Sequence, residues 1–145
     1  GYAPAQCQLG ECYYYGFGVE QDDALAVQWY QKAAEQGYAE AQYELGVCYE
    51  NGYGVEKDET QAAQWYRKSA EQDSSLGQYD LGCCYANGIG VKQDAAQAAR
   101  WYQKAAEQGN KDAQLSLADC YVNGWGVPKD PGQAAWWRDK ATGEK

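Results

Sequence analysis

The sequence predicts an all-α fold, an α/α solenoid of four helix-turn-helix repeats with eight helices. Three observations predict it. A Gly-x-Gly-Val motif recurs as Gly16-Phe17-Gly18-Val19, Gly52-Tyr53-Gly54-Val55, Gly88-Ile89-Gly90-Val91 and Gly124-Trp125-Gly126-Val127, always 36 residues on. Between these turns, apolar residues return at helical spacing. Each turn is followed by an Asp placed to cap a helix. The units are 2–37, 38–73, 74–109 and 110–145, and they fill residues 1–145 as a single repeat domain with no linker. One unit cannot fold alone. Ordering it costs about 1.5 kcal/mol per residue, some 50 kcal/mol in all. Its aromatics each bury at most ~250 Å² at ~25 cal/mol per Å². Neighbouring units must stack to supply the rest.

The first helix of each unit carries small or apolar residues at i, i+4, i+7 and i+8, as in Ala41, Leu45, Cys48 and Tyr49. That is one face of a 3.6-residue period. The glycine-rich turn ends it. The second helix starts behind Asp22, Asp58, Asp94 or Asp130, whose carboxylate can accept orphan backbone N–H groups. In the fourth unit Pro131 takes the first helical position, where its missing N–H costs nothing. Ala62, Trp65, Tyr66 and Ser69 form the apolar stripe, and Gly37 and Gly109 stand where a C-terminal cap is expected. Gln6, Gln42, Gln78 and Gln114 repeat strictly, which predicts an inter-unit hydrogen bond.

These columns resemble the Sel-one-like repeat, a relative of the tetratricopeptide repeat. In the second unit the motif stands as Ala41, Leu45, Gly46, Tyr49, Gly52, Gly54, Val55, Asp58, Ala62, Trp65, Tyr66 and Lys68. The resemblance covers the whole chain. It implies a right-handed superhelix, with the first helix of each pair lining the inner wall, and a non-catalytic adaptor or scaffold. Some secreted members carry two cysteines per unit that bridge adjacent helices, a pattern missing here. The fourth unit departs from the motif, with Arg138 where the others have Tyr and with Thr142-Gly143 near its end.

Charge and composition narrow the class of function. With 12 basic against 21 acidic residues and a net charge of −9, the chain disfavours nucleic acid and anionic membranes. There is no His, so imidazole bases and histidine metal ligands are excluded. Cysteines at 7, 12, 48, 83, 84 and 120 form no Cys-x-x-Cys pair. They read as small buried thiols, with no metal site, and fit a reducing compartment. Gly1 opens directly on the repeat pattern, the expected look of a cut edge, so compartment stays open. The Gly-x-Gly turns follow helices rather than strands, lack a third glycine and occur four times, unlike a unique dinucleotide site. No cofactor is expected. No motif organises the carboxylates for catalysis.

Variable positions on the inward side of each first helix are the candidate partner-binding wall. They are the third, sixth, tenth and thirteenth of each unit. The first unit places Pro4, Cys7, Glu11 and Tyr14 there, and the second Glu40, Tyr43, Val47 and Glu50. The third places Leu76, Tyr79, Cys83 and Ala86, and the fourth Asp112, Leu115, Asp119 and Val122. Tyr43, Tyr79 and Leu115 would form an apolar ladder flanked by acids. That mixture suits a protein or peptide with apolar anchors and some basic residues. Two further readings are an exported ligand- or cell-wall-binding module and a hydrolase. Trp136 stands in a column of polar residues, which points to an end cap, self-association or a lost fifth unit.

Overall fold

The computed structural model describes residues 1–144; Lys145, which closes the fourth unit, lies outside the described residues. Eight helices follow one another: α1 (Ala3–Tyr15), α2 (Asp23–Glu35), α3 (Ala39–Asn51), α4 (Glu59–Glu71), α5 (Ser75–Asn87), α6 (Ala95–Glu107), α7 (Lys111–Asn123) and α8 (Pro131–Thr142). Among the described residues there is no strand. The chain divides into two compact units, residues 1–72 and 73–145, each holding two helical hairpins.

Local chemistry sets the helix ends. Gly16, Gly52, Gly88 and Gly124 cap the first helices with φ between 66 and 74°, a left-handed conformation that costs glycine nothing. The chain then turns back, and the Asp58 N–H reaches the Tyr49 carbonyl at 2.9 Å, with the same bond at the other three turns. Each capping Asp then accepts from a backbone N–H three residues on, as Asp58 Oδ1 does from Gln61 at 3.0 Å. Gly37 and Gly109 sit one residue past the caps Gln36 and Gln108, with φ of 87 and 92°. The first helices begin less uniformly. Ser74 and Asn110 cap α5 and α7 through their side chains, whereas Tyr2 and Tyr38 occupy the same position on α1 and α3 without capping them.

Hairpins close by bringing a bare glycine against a buried tyrosine ring. Gly10, Gly46 and Gly82 lie so close to Tyr30, Tyr66 and Tyr102 that an added Cβ would stand 2.6–2.8 Å from ring carbons. In the fourth repeat the pair is replaced by Ala118 and Arg138. Within each unit the second hairpin packs on the first through α2 and α3, or α6 and α7. Gln42 Nε2 donates back to the Ala34 carbonyl (3.2 Å) and Gln114 Nε2 to that of Ala106 (3.1 Å), so the repeated glutamine does join neighbouring repeats. The core of the first unit gathers Ala26, Tyr30, Leu45 and Trp65, and that of the second Ala98, Tyr102, Leu117 and Trp137. The repeated lysine lies over the repeated indole, Lys32 over Trp29 at 4.4 Å and Lys68 over Trp65 at 4.3 Å, a cation–π contact one helical turn apart.

Candidate functional site

In the first unit, α1 and α3 carry the predicted wall residues on one side. Cys7 is buried, Glu11, Tyr14, Tyr43, Val47 and Glu50 are half-buried, and Glu40 is exposed. Several make contacts inside the unit. Tyr14 packs against Tyr53 (ring centroids 5.8 Å apart) and Tyr43 tilts over Tyr66 (5.8 Å). Tyr66 donates its hydroxyl proton to Glu50 at 2.6 Å.

A cleft of about 230 Å³ opens between the start of α1 and the start of α3, lined by Tyr2, Pro4, Ala5, Cys7, Gln8, Glu11, Tyr38 and Glu40. The Tyr38 hydroxyl donates to Glu40 at 2.7 Å. That bond, then burial, pushes the Tyr38 phenol up to about 12. Beside the cleft, burial together with the charges of Glu11 and Glu40 raises the Glu44 carboxyl to about 7. Burial, with Glu44 next in effect, also raises the Tyr30 phenol, whose buried oxygen has no hydrogen-bond partner. Tyr2, Tyr30, Tyr38 and Glu44 were not in the predicted wall.

In the second unit the candidate wall mixes exposed aliphatics with two aspartates. Leu76, Leu115 and Val122 are 52, 41 and 39 % exposed. Tyr79 is half-buried, its ring centroid 5.7 Å from that of Tyr102, and it bonds Ser116. Tyr102 donates to Cys83 Sγ at 3.6 Å. Asp112 and Asp119 are exposed, and Asp119 accepts from Arg138 at 3.3 Å. The predicted ladder is therefore uneven: Leu115 projects, whereas Tyr43 and Tyr79 lean on the second helices of their own repeats. Trp136 is 52 % exposed, set edge-on to Trp137 with Lys140 over its ring.

Burial raises the thiols of Cys7 and Cys48 to about 12 and that of Cys120 to about 11, so at neutral pH they are protonated and poor nucleophiles. Among the described residues, no three His, Cys, Asp or Glu side chains are placed to hold a metal ion. No described helix is long and apolar enough to cross a membrane.

The Sel1 repeat family model matches residues 3–38, 39–74, 75–110 and 111–142. A protective antigen of uropathogenic Escherichia coli displaying an SLR fold is 43 % identical, with a TM-score of 0.96 over 99 % of this chain and 31 % of that one. A Sel1 repeat protein from Oxalobacter formigenes is 42 % identical, with a TM-score of 0.90 over 99 % of this chain and 42 % of that one. An immunity protein from Pseudomonas aeruginosa is 28 % identical, with a TM-score of 0.68 over 98 % of this chain and 53 % of that one. The chain thus spans well under half the length of the first two. No curated protein sequence matches it. The fold class is the all-α Sel1-type solenoid of four helix-turn-helix repeats.

Proposed function

The chain belongs to the Sel1 repeat family, whose members generally mediate protein–protein interaction, and on that premise we propose that it is a non-catalytic scaffold binding a peptide or partner protein along the first-helix faces. The observation that supports this is a division of labour between columns. Strictly repeated positions serve the fold: Leu45, Leu81 and Leu117 are fully buried, and Asp22, Asp58, Asp94 and Asp130 cap helices. Positions that vary carry the exposed aliphatics Leu76, Leu115 and Val122. Exposed apolar groups on a regular helical face are anchors for a complementary surface, and the fold does not need them. The second unit offers apolar anchor sites and the first an acidic wall, so the partner fitting both carries hydrophobic and basic residues.

The test is selection of binding peptides from a randomised library with the purified protein, followed by affinity measurement with Leu76→Ser and Leu115→Ser. Both side chains are exposed, so the variants keep the wild-type melting midpoint. Selected peptides are expected to bind at least tenfold more weakly. Peptides indifferent to both changes, yet weakened by Gln64→Ala on the exposed side of α4, would place the binding surface on the second helices instead.

A further inference from the structure

We infer that the cleft of the first unit is a subsite for an arginine side chain of the polypeptide partner, its guanidinium donating to Glu11 and Glu44 beside it. This rests on the reading of the first-helix faces as the binding wall and names the chemistry of one part of it.

Four observations carry the assignment. First, the acids are uncompensated. Among the described residues, neither Glu11, Glu40 nor Glu44 forms an ion pair, whereas Glu59 pairs with Lys57 and Asp119 with Arg138. Second, a buried polar group next to the lining residues Cys7 and Glu11 lacks a partner. Tyr30 is 1 % exposed, its phenol end lies among Glu44, Cys48, Cys7 and Glu11, and its oxygen makes no hydrogen bond. The equivalent tyrosines are served, Tyr66 by Glu50 and Tyr102 by Cys83. An unbonded buried hydroxyl is costly, and a cationic N–H donor would satisfy its oxygen.

Third, the fourth repeat shows what an acid at this position takes. Asp119 is the repeat equivalent of Glu11, and the residue equivalent to Tyr30 there is Arg138, whose guanidinium reaches Asp119 at 3.3 Å. The first repeat has the acid without the guanidinium. It also has Cys7 where the next two repeats place Tyr43 and Tyr79 over the second-helix ring, so room is left beside the acids. Fourth, Tyr2 and Tyr38 fill N-cap positions that Ser74 and Asn110 use for capping, and both line the cleft instead. Aromatic walls with carboxylates suit a planar guanidinium better than a compact ammonium. A metal ion is a poorer match, since no three described ligand side chains are placed to hold one.

The test is an NMR titration of the whole chain at low salt with acetyl-arginine methylamide, its neutral citrulline analogue and the lysine analogue. The arginine probe is expected to shift resonances of Glu11, Tyr30, Tyr38 and Glu44, with the lysine probe at least threefold weaker and citrulline without effect. Glu11→Gln and Glu44→Gln should each weaken the arginine probe at least fivefold, while Glu56→Gln in the exposed turn leaves it unchanged. Tyr30→Phe keeps the ring that fills the core and should weaken the probe two- to fivefold without lowering the melting midpoint. Equal binding of citrulline or lysine, or indifference to both glutamate changes, overturns the assignment. The probes need no natural partner. If they fail while Leu115→Ser still weakens selected peptides, the arginine subsite falls and the wall stands; if they bind while Leu76→Ser and Leu115→Ser are silent, it is the wall that falls.

Discussion

Gly46 and Tyr66 meet with no room between them: a methyl group on Gly46 would stand 2.6 Å from Tyr66 Cε1 and 3.3 Å from the Ala62 carbonyl oxygen. Tyr66 is itself 1 % exposed and cannot swing aside. Gly46→Ala is therefore expected to destabilise the protein by about 1–3 kcal/mol, the range for overpacking a core. Urea unfolding measures it. Trimming the ring in Gly46→Ala/Tyr66→Leu should make the two effects strongly non-additive; simple additivity would show that the contact does not limit the packing.

A second prediction concerns a donor that changes in the last repeat. Gln36, Gln72 and Gln108 donate to Gln6, Gln42 and Gln78 at 2.6, 2.7 and 2.8 Å. The fourth copy of the donor is Glu144, and the Gln114 oxygen is left buried without a partner. Glu144→Gln is expected to stabilise by about 0.5–1.5 kcal/mol, the net worth of one hydrogen bond. A higher urea midpoint with an unchanged slope is the expected readout. The same substitution at exposed Glu56 should do nothing.

Asp73 gives a third. It adopts φ of 64° at the position where Gly37 and Gly109 stand with φ of 87 and 92°. A side chain there costs about 1 kcal/mol or somewhat more relative to glycine. Asp73→Gly should raise the thermal midpoint by a few degrees, and Asp73→Val should lower it.

The fourth is a pH dependence. The Glu44 carboxyl is raised to about 7, by burial first and then by Glu11 and Glu40. Its unfolded value is near 4.3. Between these values the folded state holds more protons than the unfolded one, so stability falls as pH rises from about 4.5 to about 7 and stays low above that. The loss attributable to this group is on the order of 2 kcal/mol, allowing for solvent screening. Glu44→Gln should flatten that part of the profile and exceed the wild type in stability at pH 8. Urea midpoints at intervals from pH 5 to 8 decide it.

The fold was legible because each structural task recurs at the same column. Asp22, Asp58, Asp94 and Asp130 cap, Gly16, Gly52, Gly88 and Gly124 turn, and a pattern repeated four times averages out local ambiguity. The candidate wall was legible only as a direction. Spacing put Glu11, Glu40 and Leu115 on one side of their helices. It could not show that Tyr43 and Tyr79 spend much of their surface on Tyr66 and Tyr102. Glu44 sits in a column with Gln8, Asp80 and Ser116, which reads as solvated surface, and Tyr30 sits in a column that reads as core. Their nearness is a product of the α2–α3 packing, to which a one-helix periodicity is blind. One signal was available and unused: aromatic Tyr2 and Tyr38 stand at a helix start where the other repeats have Ser74 and Asn110.

The second glycine of the second and fourth turns lies against the backbone of the preceding hairpin. A Cβ on Gly54 would meet the Asp23 carbonyl oxygen, and one on Gly126 that of Ala95. Adjacent hairpins within a unit are thus gauged by main chain resting on main chain. Selection can rewrite the exposed side chains of such a hairpin pair while the spacing of the pair is left untouched.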